Sequence, residues 1–280
     1  MEIIHTIKAL KTFLQTFQNE KKKVALVPTM GALHKGHLSL IKMAQQQADV
    51  VVCSIFVNPT QFTDPKDLEK YPRPLVHDIK LLQEVGCNVV FMPSVKEMYP
   101  APENWQINLG PAEFLLEGEF RKGHYQGVTQ IVKKLFDAVN PDVAFFGQKD
   151  FQQVLMIKNM INHFNLPVKL VSCAIIREED GLAMSSRNIR LNDQERIIAS
   201  LIPKIMLKAS IIVKTQGINE SKQFVEEITS KITDMKLDYF EVCESSSLVI
   251  LDFYEKTTPT ILLIALFVGK TRLIDNLVIE

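Results

Sequence analysis

Val24-Ala25-Leu26-Val27-Pro28-Thr29-Met30-Gly31-Ala32-Leu33-His34-Lys35-Gly36-His37 decides how the chain is read. An apolar run, residues 24–27, leads into it, and a helix-like pattern, residues 38–48, leads out. Two histidines with a glycine between them therefore sit where a strand turns into a helix. A helix start presents unpaired N–H groups and partial positive charge, so it attracts phosphate. Gly36 lets a phosphate approach the backbone closely. His34 and His37 can donate hydrogen bonds to charge that builds on a leaving pyrophosphate. A tetrapeptide this short is matched by chance in many proteins. The reading draws its weight from the strand-to-helix setting and from later segments.

Two later segments occupy equivalent places, and a third lies at the expected domain boundary. Asn58-Pro59-Thr60-Gln61 follows the second apolar run, residues 50–56, and supplies neutral donors and acceptors suited to hydroxyls or a carboxylate. By itself it is also an ordinary Asn-Pro turn. Gly147-Gln148-Lys149-Asp150 follows the run 143–146. There Lys149 can neutralise a phosphate and Asp150 can hold ribose hydroxyls. Gln153, three residues on, faces the same side if a helix begins there. Asp180-Gly181-Leu182-Ala183-Met184-Ser185-Ser186-Arg187-Asn188 offers two hydroxyls and a guanidinium to a phosphate chain, with a D-G pair as a pivot. Arg121, in the polar loop 119–128, is a further cation within reach of a phosphate or of solvent alone.

Charge and cysteine usage narrow the class. Among 280 residues, Lys plus Arg and Asp plus Glu are 32 each, which gives no global basic face for nucleic acid or an anionic membrane. Hydrophobic residues are 46% and charged residues 23%, as in soluble globular proteins. Cys53, Cys87, Cys173 and Cys243 form no C-x-x-C pair, so reduced, buried thiols in a cytoplasmic protein are expected and a zinc knuckle is not. Residues 1–11 lack a signal-peptide pattern, and the apolar run 261–268 is too short to cross a bilayer.

Candidate strands at 23–27, 50–56, 89–91, 143–146 and 168–175 alternate with helical patterns at 38–48, 74–85, 126–139 and 152–162. Continuous apolar strands separated by helices predict a Rossmann-like α/β fold with a parallel sheet flanked by helices. Ligands then bind at the carboxyl ends of the strands. After Arg177 the texture changes. Asn192 with Glu195 predicts a capping box, Pro203 should split the helix that follows, and another helix is expected over 220–235. Strand-like runs follow at 239–242, 247–251 and 261–268. Two domains are expected: residues 1–176, binding nucleotide and a small acid, and residues 177–280, a smaller α+β domain that closes over the nucleotide.

Taken together, these segments resemble the pantoate–β-alanine ligase family. The resemblance runs from Pro28-Thr29-Met30-Gly31 to Gly269-Lys270-Thr271-Arg272-Leu273-Ile274-Asp275-Asn276, with Tyr71-Pro72-Arg73 between. Phe151, Lys122, Pro74 and the stretch Arg177-Glu178-Glu179 depart from the usual family residues. The resemblance implies a ligase that condenses (R)-pantoate with β-alanine, consuming ATP through a pantoyl adenylate. It implies that Met30, Gly31, Ala32, Leu33, His34, Lys35, Gly36 and His37 line ATP, with His37 the family's proton donor. It also assigns to ATP the residues Gly147, Gln148, Lys149, Asp150, Ile176, Met184, Ser185, Ser186 and Arg187. His37, His34, Lys149 and Arg187 form the implied catalytic set. Gln61 and Gln153 would hold pantoate, with Gln61 bordering β-alanine as well. Mg2+ would ride mainly on ATP, Asp78 being at most an outer ligand, with no tightly bound organic cofactor. The family further implies a homodimer. A nucleotidylyltransferase acting on another small acceptor shares the H-x-G-H loop and is the rival expectation. It would want a second cationic acceptor site rather than paired glutamines.

Overall fold

A computed structural model of the chain describes residues 1–279. They divide into two compact units, Met1–Ala174 and Ile175–Glu280. The boundary falls two residues before the expected one.

The first unit is built on six parallel strands: β1 (Glu2–Ile4), β2 (Val24–Thr29), β3 (Val50–Ile55), β4 (Val89–Phe91), β5 (Val143–Gly147) and β6 (Lys169–Cys173). Their order is β1-β4-β3-β2-β5-β6. β2 and β3 are buried almost throughout, which is why both read as unbroken apolar runs. Ala25, Val27, Val51, Cys53 and Phe145 pack with Leu40, Ile41 and Ala44 of the helix Lys35–Gln45. From β2 the chain builds outward through β3 on one side and returns to β5 on the other. The order therefore reverses at β2 and β5, and the crevice beyond their carboxyl ends is where such a sheet receives a ligand. The four expected helices appear as Lys35–Gln45, Leu75–Glu84, His124–Val139 and Phe151–His163. Strand β1 and the helix Ile7–Asn19 are additional to the elements expected from sequence.

The second unit carries three antiparallel strands in the order β7-β8-β9: β7 (Met235–Glu244), β8 (Thr260–Val268) and β9 (Thr271–Ile279). Helices Ile202–Thr215 and Ile218–Ser230 cover it through Ile205, Met206, Ala209 and Val225, packed with Val242, Leu262 and Ile264. The Asn192–Glu195 capping box is present, and the expected long helix is divided into Asp193–Ala199 and Ile202–Thr215, with Pro203 in the first turn of the latter. One expectation is corrected, and one strand is additional. Residues 247–251 are not a strand: Leu248 turns left-handed at φ 59°, Ser246 and Ser247 bond to Glu244, and a single bridge from Ile250 to Cys243 remains. Residues 271–279 do form a strand. All four cysteines are buried and unpaired.

Candidate active site

The turn after β2 owes its shape to a residue 45 positions away. Gly31 and Ala32 both have positive φ, 81° and 51°. This exposes the Ala32 and Leu33 N–H groups on one side, and the Asp78 carboxylate accepts both at 2.8 Å. A side chain at position 31 would meet Asp78 Oδ2 at 2.9 Å. Asp78 is 1% exposed. Both of its oxygens are engaged inside the protein, where they hold the turn.

The turn delivers His34 to the N-cap of Lys35–Gln45 and His37 to its third helical position. The two rings lie 4.1 Å apart between centroids. His34 Nδ1 accepts from the Gly36 N–H at 3.2 Å, and His37 Nδ1 accepts from the His34 N–H at 3.4 Å. A neutral imidazole whose Nδ1 accepts must carry its proton on Nε2. Both rings therefore present Nε2–H donors. Burial, and next the His34 ring, lowers the His37 pKa to about 3, so at neutral pH it is an uncharged hydrogen-bond donor. Asp150 and Lys149 also act on His37 electrostatically, in opposite directions, which brings the turn after β5 up to the same histidine. Lys149 belongs to a short 3-10 turn, Gln148–Asp150, that opens the helix Phe151–His163 carrying Gln153, as expected. Gln153 is half-buried, whereas its neighbour Gln152 is turned inward and bonds to the Ala112 and Leu115 carbonyls.

Gln61 ends the 3-10 turn Pro59–Gln61 beyond β3 and is 8% exposed. Its Oε1 accepts from Asn58 Nδ2 at 3.2 Å, and its Nε2 lies 3.0 Å from Met30 Sδ. A thioether is a weak acceptor, so this amide remains available to a stronger one. The helix His124–Val139 comes against the same turn at Gly127, where any side chain would strike the Thr60 carbonyl oxygen at 2.3 Å. The first unit thus gathers at one end of β3, β2 and β5 the residues 30–37, Gln61 and 147–150. His124, unnoticed in sequence, donates from Nδ1 to the Gln61 carbonyl at 2.7 Å.

In the second unit, residues 176–184 form a hairpin-like segment. The Met184 N–H donates to the Ile176 carbonyl, and Arg177 bridges to Ala183. The expected D-G pivot is tied down. Arg177 makes a bidentate pair with Asp275 at 2.7 and 3.0 Å, and Arg196 clasps both Asp180 and Glu178. Arg177 and Glu178 therefore act as a fastening. Ser185 caps the 3-10 turn Ser186–Arg190 through the Arg187 N–H. Ser185, Ser186 and Arg187 are half-buried.

Chemically, the first unit offers neutral imidazole donors, a lysine and a carboxylate at a helix start, with an amide pocket beside them. That set suits a reaction in which phosphate charge is stabilised without a covalent nucleophile. Comparison with known proteins agrees. Residues 2–278 match the family model described as pantoate-beta-alanine ligase. Pantothenate synthetase of Bacteroides fragilis is 46% identical over 277 residues, covering 99% of this chain and 98% of the relative. That of Porphyromonas gingivalis is 45% identical over the full length of both. The Thermus thermophilus pantothenate synthetase structure superposes with a TM-score of 0.91 at 36% identity, covering 100% of both chains. A Francisella tularensis pantoate-beta-alanine ligase, complexed with beta-gamma ATP and beta-alanine, gives 0.82 at 34% identity over 99% of this chain and 97% of its own.

Proposed function

The chain belongs to the pantoate-beta-alanine ligase family, and from there we propose how its own residues divide the work. The enzyme condenses pantoate with β-alanine in an ATP-dependent reaction that forms an amide bond. A pantoate carboxylate oxygen attacks the α-phosphorus and pyrophosphate departs. The β-alanine amine then attacks the acyl carbon, and AMP leaves with the bonding pair. A carboxylate with pKa near ~4 is already ionised at pH 7, so the first step needs alignment and charge stabilisation rather than a base.

His34 and His37 supply Nε2–H donors to the phosphates, and Lys149 adds positive charge. Residues 30–33, Lys35 and Gly36 line the nucleotide with their backbone, joined by Gly147, Gln148, Asp150 and Ile176. Gln61 donates from its amide nitrogen to pantoate oxygens and borders β-alanine, and Gln153 completes the pantoate contacts. Met184, Ser185, Ser186 and Arg187 are assigned to the phosphate chain. Hydrogen exchange over residues 180–188 should slow on addition of an ATP analogue with Mg2+. Identical protection in both states would remove the ordering from the proposal.

Among the described residues no three His, Cys, Asp or Glu side chains group as a protein-built metal site requires. The nucleotide is taken as MgATP on family likeness, the ion riding on triphosphate oxygens. No helix among the described residues is long and apolar enough to cross a membrane. A cytoplasmic setting rests on the buried free thiols, and cell fractionation tests it. A homodimer rests on family likeness, and sedimentation tests it.

The observation that carries the proposal is the pair of Nε2–H donors beside the turn after β5. The decisive experiment is exchange of labelled pyrophosphate into ATP. Exchange that requires pantoate and proceeds without β-alanine is expected. Exchange independent of pantoate would favour transfer of a nucleotidyl group to another acceptor.

A further inference from the structure

Gln61 is held from two directions by side chains that have no part in the division of labour above. Tyr99 donates from its hydroxyl to Asn58 Oδ1 at 2.7 Å. Asn58, 1% exposed, turns its Nδ2 toward the Gly127 carbonyl at 3.0 Å and toward Gln61 Oε1 at 3.2 Å. A backbone carbonyl only accepts, so the nitrogen end of Asn58 must face it. The oxygen end of Gln61 must then face Asn58, and its nitrogen end faces outward. Thr60 adds a second donor to Asn58 Oδ1 at 3.2 Å. From the other side, His124 Nδ1 donates to the Gln61 backbone carbonyl at 2.7 Å.

We propose that Tyr99 and His124 are positioning residues that present the Gln61 amide nitrogen to substrate oxygens, Tyr99 through Asn58 and His124 through the Gln61 backbone. The inference rests on the reading of Gln61 as a pantoate contact. Without the Tyr99 hydroxyl, the Asn58 oxygen loses its shortest donor, and the Asn58–Gln61 pair can reverse together at lower cost. A reversed Gln61 would set a carbonyl oxygen against the carboxylate of a hydroxy acid, which repels rather than binds. Without the His124 N–H, a buried carbonyl is left unpaired and the turn 59–61 is free to shift.

The test measures KM for pantoate and for ATP, kcat and the melting temperature in Tyr99→Phe, His124→Leu, His124→Asn and Gln61→Ala. Asn places an amide N–H close to where the imidazole Nδ1–H lies. Tyr99→Phe and His124→Leu should each raise the pantoate KM roughly 5- to 20-fold, the scale of one lost hydrogen bond, while ATP KM stays within about twofold. His124→Asn should return pantoate KM to within about threefold of the parent. Unchanged pantoate KM in Tyr99→Phe and His124→Leu, with Gln61→Ala strongly impaired, would overturn the positioning roles and leave Gln61 in place. Unchanged pantoate KM in Gln61→Ala would remove the reading on which they rest. Equal loss for pantoate and ATP, with a lowered melting temperature, would reduce both residues to a structural part and overturn the proposal.

Discussion

At His34 and His37 the Nδ1 lone pairs are taken by backbone N–H groups, so the capping geometry that starts the helix also dictates the tautomer. The donors to phosphate are thereby set before any ligand arrives. Replacing either histidine by Ala should lower adenylate formation roughly 10²- to 10³-fold, the cost of one preorganised donor. His37→Gln, whose amide N–H reaches toward the Nε2 position, should recover a measurable part of that loss. Single-turnover AMP formation measures both. His124 shows the opposite arrangement: its Nδ1 is the donor. Burial first, then the Arg121 charge, lowers its pKa to about 4, against which the Gln61 carbonyl, Asp150 and Glu117 act. A histidine depressed in the folded state is protonated first in the unfolded chain. Its effect on stability is therefore absent above pH ~6.5, and stability falls as pH drops from ~6.5 toward 4, by about 1.4 kcal/mol per unit at most. Urea midpoints for the parent and His124→Asn across that window should converge with acid. A constant gap would refute the assignment. Asp78 marks the limit of reading at this scale. Its task requires knowing that Gly31 and Ala32 turn left-handed, a fact no local pattern near position 78 contains.

Elements are legible in proportion to how local their causes are. The Asn192–Glu195 box and Pro203 announce a helix start and a helix break within a few residues, and both appear. Ile7, Leu10, Leu14 and Phe17 carry helical spacing too, but a stretch so close to the N-terminus reads first as a test for targeting signals. β1 is three residues long, too short for any period to show. β9 escapes the sequence reading because Arg272, Asp275 and Asn276 interrupt its apolar pattern. Asp275 is tolerated there at 1% side-chain exposure because Arg177, from the far end of the unit, neutralises it. Removing one partner of a buried pair leaves a stranded charge, at a cost of about 3 to 5 kcal/mol. Arg177→Met should therefore destabilise the second unit by about that amount, read by urea denaturation with circular dichroism. A loss below ~1 kcal/mol would show that Arg177 is merely solvated.

For the whole molecule, the parallel sheet follows from the order of its elements, because apolar strands alternating with helices leave few topologies, and a ligand crevice at the carboxyl ends is expected of such a sheet. What sequence leaves dark is the wiring between distant segments, Asp78 to the first turn and Arg177 to β9, where the partners lie 45 and 98 positions apart. Such links obey no periodicity. The buried cysteines have a practical corollary at this scale. Burial pushes the Cys87 thiol up to about 11 and Cys243 up to about 12, and raises Cys53 and Cys173 as well. Since the thiolate is the reactive form, the native protein should titrate with essentially no fast-reacting sulfhydryl, and all four should appear only on denaturation. A rapid native thiol would contradict that burial. The chain is thus a blank canvas for spectroscopy: one cysteine introduced at Ile189, 80% exposed just beyond Arg187, would carry a dye or spin label without background and report in real time on the neighbouring loop.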